Sequence, residues 1–251
     1  MKATAPLASR WDKRSSERRW ARAWHGATGG PTLVDAPTRV AYLAWRRTRP
    51  AGYFVLKRAL DVVVALLALL VGAPLLLLIA ALIWLDDGGP AIFTREVVGQ
   101  GGRRFRMYKF RTMCERAEDL LLQDEALLAE YQRQHFKLRG DPRVTRLGRT
   151  LRKYSLDETP QLFNVLLGQM SLVGPRCVPP VEVELFGEVA GLRAWVKPGL
   201  SGLWQVSGRS NTTYDERISL DRDYVERCSL WLDIGILLRT LPAVARGDGA
   251  Y

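Results

Sequence analysis

The residues best suited to chemistry are two adjacent carboxylates, Asp157 and Glu158, in a stretch crowded with cations. Arg152 precedes the pair by five residues, Arg176 follows Gly174-Pro175, and Lys109 and Arg111 alternate on a β-prone run. Arg209 closes the glycine-rich segment KPGLSGLWQVSGR at 197–209. Arginine grips phosphate bidentately, and a basic side chain held on a strand or beside a Gly-Pro turn is well placed to do so. A carboxylate can act as a covalent relay in group transfer, and magnesium favours a few carboxylates together with substrate phosphates, a role open to Glu158. Gly199, Gly202 and Gly208 would let the backbone approach a ligand, with Trp204 and Gln205 suited to a base or sugar and Arg209 to a phosphate. Each of these residues has a plainer reading. Ser155-x-x-Glu158 matches a capping box, Asp157 is a good N-cap, and Pro160 suits a first helical turn. Capping boxes far outnumber catalytic dyads, so the residues by themselves favour the cap. The 197–209 segment reads equally well as turn chemistry around a core tryptophan. Asp221 and Asp223 suit either metal support or pairing with arginines, the commoner fate.

Several elements must position these groups. Residues 91–113 predict a β-hairpin, with Gly99-Gln100-Gly101-Gly102 at the turn. Period two then places Phe105, Met107, Lys109 and Arg111 on one face. Residues 115–136 read as one amphipathic helix, 157–168 as a helix ending near Gly168, and 213–227 and 230–245 as two more. On the last of these, residues 230–238 form an apolar patch too short to span a bilayer, suited to a core or an interface. Residues 62–85 hold 24 positions without a charge, enough to cross a hydrocarbon core of about 30 Å as a straight helix. Gly72-Ala73-Pro74 falls at the middle, where proline removes a donor and predicts a kink or break. Basic residues flank both ends of the run, which favours both ends on one face of the membrane.

The chain has 251 residues and a net charge of +11, and residues 1–58 hold 13 Lys or Arg against three acids, a surplus of ten. That stretch also carries four of the eight tryptophans, a combination suited to anionic lipid or to a solvated tail. The remainder is nearly balanced, which speaks against nucleic acid as a partner. The three cysteines lie far apart without a Cys-x-x-Cys pair, so neither a zinc site nor a disulfide framework is indicated. Neither a P-loop nor a dinucleotide-binding fingerprint occurs.

KRALD at 57–61, the proline-interrupted run, KFRTM at 109–113, the long segment 141–176, KPGLSGLWQVSGR and the terminal GDGAY occur in series. Together they resemble the bacterial sugar transferase family, the monotopic phosphoglycosyl transferases, over about residues 53–251. The resemblance implies an α+β fold, mostly helical with a small β-hairpin. It implies a monotopic membrane protein with a proline-broken re-entrant helix, broken at Pro74, and interfacial amphipathic helices. The expected layout is a basic, partly disordered extension at 1–50, a re-entrant membrane hairpin at 51–90 and a cytoplasmic catalytic domain at 91–251. Larger members carry an N-terminal membrane bundle that this chain is expected to lack.

The resemblance further implies transfer of a sugar 1-phosphate from a UDP-sugar, a hexose such as glucose or galactose, to undecaprenyl phosphate. UMP would be released at the inner face of the bacterial cytoplasmic membrane, as the first membrane step of exopolysaccharide or O-antigen synthesis. Asp157 would be the nucleophile that forms a covalent phosphosugar, with Glu158 beside it, and Mg²⁺ is expected on Asp157 and Glu158. A helix N-terminus would keep Asp157 ionised. Lys109, Arg111, Arg152 and Arg176 match family positions that meet phosphate or nucleotide. Anionic lipids and a second copy of the chain are further expected partners. An inactive membrane-anchored scaffold of the same fold is the alternative. Where the family often has Pro-Arg-Pro, this chain has Pro175-Arg176-Cys177, which bears on the rigidity of that loop.

Overall fold

The computed structural model describes residues 36–133, 138, 140–208 and 212–246, so the leader to residue 35, Arg209 and the terminal GDGAY lie outside it. The architecture is mostly helical, with two small sheets and one long apolar helix. After α1 (Ala36–Arg47) comes α2 (Tyr53–Asp87), then the antiparallel hairpin of β1 (Ile92–Val98) and β2 (Arg104–Phe110). Next are α3 (Ala117–Gln123), α4 (Glu125–Arg133), α5 (Arg146–Lys153) and α6 (Gln161–Leu166). A second sheet pairs β3 (Ser171–Val173) in parallel with β4 (Gly199–Ser201), with α7 (Val189–Arg193) in the crossover. The described chain ends with α8 (Leu203–Ser207), α9 (Tyr214–Arg227) and α10 (Leu230–Arg246).

At 35 residues α2 is about 52 Å long at about 1.5 Å per residue, and it is long and apolar enough to cross a membrane. The predicted break at Pro74 is not seen: the helix runs through it, and Gly88 ends it in a left-handed conformation with its N–H on the Trp84 carbonyl. Proline removes one backbone donor, and losing one bond costs less than unwinding a whole turn whose other groups would then lack partners. One stripe of the helix is buried along its length. Asp61, Ala65 and Leu69 in the first half and Ile79 and Ile83 in the second fall on one side at 3.6 residues per turn. Ala65 and Leu69 pack into the main core with Val97, Met107, Leu162, Val165 and Tyr224, whereas Ile79 and Ile83 pack on Phe110 and Leu151. The opposite side, including Leu66, Leu70, Val71, Leu77 and Trp84, is exposed and apolar.

KRALD is the lock between α2 and the rest. Arg58 donates to the carbonyls of Val165 (2.6 Å) and Leu166 (2.9 Å) at the end of α6. Asp61 accepts from Ser171 Oγ (3.0 Å) and the Leu172 N–H (2.9 Å) on β3. Lys57 pairs with Asp233 of α10 at 2.9 Å and also donates to the Val173 carbonyl at 3.0 Å. Tyr224 OH completes this buried knot on Asp233 Oδ1 at 2.8 Å.

Other expectations shift in detail. The helix expected over 115–136 is two, because Asp124 adopts an extended backbone and its side chain accepts from the Leu127 N–H at 3.0 Å, starting α4 afresh. The helix expected from 157 begins at Gln161, preceded by a 3₁₀ turn at Leu156–Glu158. Helices 213–227 and 230–245 appear as α9 and α10. On α10, Leu230, Leu232, Ile236 and Leu237 join the core while Trp231, Ile234, Leu238 and Leu241 face outward.

Candidate active site

Asp157 and Glu158 sit on the 3₁₀ turn between α5 and α6, and the local sequence explains why no α-helix starts there. Ser155 takes a left-handed conformation at φ 54°, uncommon for a residue with a side chain, and makes no side-chain cap. The Ser155–Glu158 capping box is therefore absent. Glu158 instead accepts from Lys109 Nζ at 2.8 Å on Oε1 and from Arg176 Nη1 at 3.2 Å on Oε2, with Arg176 Nη2 also on Oε1. A carboxylate held by two cations at low exposure gains more than one backbone hydrogen bond would give.

Each partner is positioned by a different element. Lys109 lies on β2, whose register against α6 is fixed by fully buried Asn164. Asn164 accepts from the Tyr108 N–H at 3.0 Å and donates to the Arg106 carbonyl at 2.8 Å and to Gln169 Oε1 at 2.7 Å. Arg176 follows β3 in a loop pinned to β4, where Gly174 N–H donates to Ser201 O and Gly199 N–H to Pro175 O, both at 2.9 Å. A Cβ on Gly174 would stand 2.4 Å from the Lys197 carbonyl, so glycine is required by this backbone crossing. Gly199 and Gly202 serve the same crossing rather than a ligand approach. These bonds hold the loop with Cys177 following Arg176. Arg193 of α7 adds a brace: it pairs with Asp221 at 3.2 Å, stacks over Phe186 at 3.6 Å and donates to the Arg176 carbonyl. Asp221 thus pairs with an arginine, as the commoner reading had it. Arg152 on α5 donates to Thr112 Oγ1 at 2.9 Å, and α5 itself is capped by Thr145.

Asp157 differs from its neighbour. It is 8% exposed, and among the described residues its carboxylate enters no hydrogen bond or ion pair. Burial pushes its carboxyl above the ordinary value. Lys109 opposes this, anionic Glu158 adds to it, and Arg152 and Arg176 oppose it again. The expected helix-dipole effect is thus replaced by a contest between burial and cations. Glu158 goes the other way: burial alone would raise it, but Arg176 and then Lys109 hold it well below the ordinary value.

Asp157, Glu158, Lys109, Arg111, Arg152, Arg176 and Gln205 all line one open cleft of about 1330 Å³, large enough for a sugar nucleotide and part of a second substrate. Within it they are not equivalent. Lys109 and Arg176 touch Glu158, and Arg152 stands within electrostatic reach of Asp157. Arg111 lies just past β2 and donates to the Pro90 carbonyl at 2.8 Å. Gln205 spends its amide on the Leu200 carbonyl at 3.1 Å. Trp204, at 7% exposure, is a core residue. Pro74 belongs to α2 and not to the cleft. Sequence reasoning missed Asn164 and Arg193, whose only signals were a polar residue amid Leu162 and Val165 and a lone charge in LRAWV.

Magnesium fits this donor set through Asp157 alone. Both oxygens of Glu158 are committed to Lys109 and Arg176, and among the described residues no cluster of three or more His, Cys, Asp or Glu could hold an ion. One carboxylate plus substrate phosphates remains an ordinary magnesium arrangement.

The family model for the bacterial sugar transferases matches residues 52–247. The chain is 46% identical over 203 residues to undecaprenyl-phosphate galactose phosphotransferase of Salmonella typhimurium, covering 78% of this chain and 42% of that protein. It is 43% identical over 208 residues to exopolysaccharide production protein ExoY of Rhizobium meliloti, covering 81% and 91%. It is 44% identical over 204 residues to UDP-glucose:undecaprenyl-phosphate glucose-1-phosphate transferase of Caulobacter vibrioides, covering 78% and 72%. Against several such relatives the match thus spans well under half of the other protein. With the family model matching most of its length, this chain belongs to the bacterial sugar transferase family.

Proposed function

We propose that this chain is a membrane-bound phosphoglycosyl transferase that moves a hexose 1-phosphate from a UDP-sugar to undecaprenyl phosphate and releases UMP. The observation that carries the reading is the contrast within one dyad: Glu158 is locked between two cations while Asp157, one residue earlier, is buried beside them and uncommitted. In the first step an Asp157 oxygen bonds to the sugar-bearing β-phosphorus, and the bond from that phosphorus to the bridging oxygen breaks. The electron pair leaves with UMP. In the second step an oxygen of undecaprenyl phosphate bonds to the same phosphorus, the aspartyl oxygen–phosphorus bond breaks, and the Asp157 carboxylate is restored. Lys109 and Arg176 hold positive charge at the phosphoryl oxygens, and Arg152 adds to the field. Magnesium, held by Asp157 and substrate phosphates, would supply further positive charge to the diphosphate.

Relatives named for galactose and glucose transfer favour a hexose donor, and exopolysaccharide or O-antigen initiation as the setting. The packing of both halves of α2 on one body supports a monotopic arrangement, without the break expected at Pro74. Both halves of the helix rest on the catalytic part, so its two ends belong on one side of the membrane, the cytoplasmic side by charge. The test is direct. Enzyme given a UDP-hexose without lipid acceptor should gain one hexose phosphate on Asp157, seen by mass spectrometry. Asp157→Asn should fold, partition into membranes and release no UMP. Full turnover in that variant would refute the assignment.

A further inference from the structure

Trp204 is not available as a stacking surface for a base, because it is buried and a guanidinium covers it: Arg217 Cζ lies 4.8 Å from the ring centroid. Arg217 comes from α9, and its Nε donates to Thr212 Oγ1 at 3.1 Å. A cation resting on an indole and fixed by a hydroxyl loses little freedom on binding a ligand. Arg217 lines the same cleft as Asp157, Glu158 and Arg176. Arg143 is matched by Asp141, Arg193 by Asp221 and Arg176 by Glu158, whereas among the described residues Arg217, like Arg95 and Arg152 of the same cleft, forms no ion pair. Arg176 pushes on it electrostatically while Tyr214 and Glu182 pull the other way, and both guanidinium groups line one aqueous cleft.

We infer that Arg217, seated on Trp204 and held by Thr212, is a second anion station, which takes the nucleotide-side phosphate of the diphosphate donor. The inference rests on the transfer reaction proposed above. When the bridging P–O bond breaks, the electron pair stays on the oxygen that leaves with the nucleoside monophosphate, whose phosphate thereby gains negative charge. Lys109 and Arg176 are tied to the Asp157 end of the cleft through Glu158, so a separate cation suits the departing phosphate.

Calorimetric titration of the full chain in detergent with UMP, and separately with uridine, tests this. Losing a charge-assisted hydrogen-bond donor predicts that Arg217→Ala weakens UMP binding by about tenfold to a hundredfold, with uridine changed less than about twofold. Arg217→Lys, which keeps the charge but not the fork, should fall between wild type and alanine for UMP. A melting temperature for each variant monitors folding. Equal weakening of UMP and uridine in either variant, or unchanged UMP affinity, overturns the station. A wild-type protein that releases UMP normally while Arg217→Ala keeps full UMP affinity overturns the station alone. A wild-type protein that neither binds nor releases UMP overturns the transfer reaction and the station with it.

Discussion

Adjacent carboxylates separate into two roles when one is paired and its neighbour is not. Glu158 is the anchor that gathers Lys109 and Arg176, and Asp157 sits in their field without spending its own lone pairs. The ionisation of Asp157 then has a definite sign. Its carboxyl titrates above the ordinary range of about 4, and in the proposed reaction only the ionised form attacks phosphorus. As pH falls through that raised value the nucleophile is lost, so the acid limb of kcat/KM should lie above an ordinary carboxylate's. Lys109 is the largest influence opposing burial, and Lys109→Met should move the limb to still higher pH while lowering the plateau. A limb at or below the ordinary value, or one indifferent to Lys109→Met, would contradict this account of the dyad.

At the scale of elements, the site exists because four pieces meet at one turn: β2 brings Lys109, the loop after β3 brings Arg176, α5 brings Arg152 and the 3₁₀ turn brings the dyad. The braces are polar and buried. Asn164 binds α6 to β2, Arg193 ties Asp221 to the Arg176 loop, and Lys57 ties α2 to α10. Asp221 records the cost of such a brace: burial pushes its carboxyl up to about 6, with Arg193 pulling against it. Breaking one partner of a buried pair leaves the other charge uncompensated, which costs about 3–5 kcal/mol. Lys57→Ala, which strands Asp233, should lower stability by about that much and lower the melting temperature accordingly. A loss below about 1 kcal/mol would mean that the Lys57–Asp233 pair does not carry the docking of α2.

For the molecule as a whole, the governing fact is where α2 rests. Its polar first turns and its apolar second half pack on the same body, through Ala65 and Leu69 on one core and Ile79 and Ile83 on another. A straight crossing would drag that body into hydrocarbon with its buried ion pairs, which favours the monotopic arrangement proposed above. Outward-facing Trp231, Ile234, Leu238 and Leu241 on α10 add an apolar stripe suited to the same interface. Single cysteines placed at residue 51 and at residue 90 should therefore both resist a membrane-impermeant thiol reagent added to intact cells and both react once the membrane is permeabilised. Reaction of either from outside would establish a spanning helix instead.

The series of family motifs, the apolar run, the hairpin and the helices of residues 214–246 were legible in the amino-acid sequence, because periodicity and turn residues are local properties. The sequence also contains two similar capping signals, Ser155-x-x-Glu158 and Thr213-x-x-Glu216, and local rules cannot tell them apart. The second is a true capping box, with Glu216 on the Thr213 N–H at 2.8 Å. The first is dismantled by cations 49 and 18 residues away in the chain. Tertiary structure alone decided that, as it decided that Trp204 carries Arg217, that α2 runs through Pro74, and that burial governs Asp157. Desolvation and charge pairing depend on what the fold brings near, and no window of neighbouring residues contains that information.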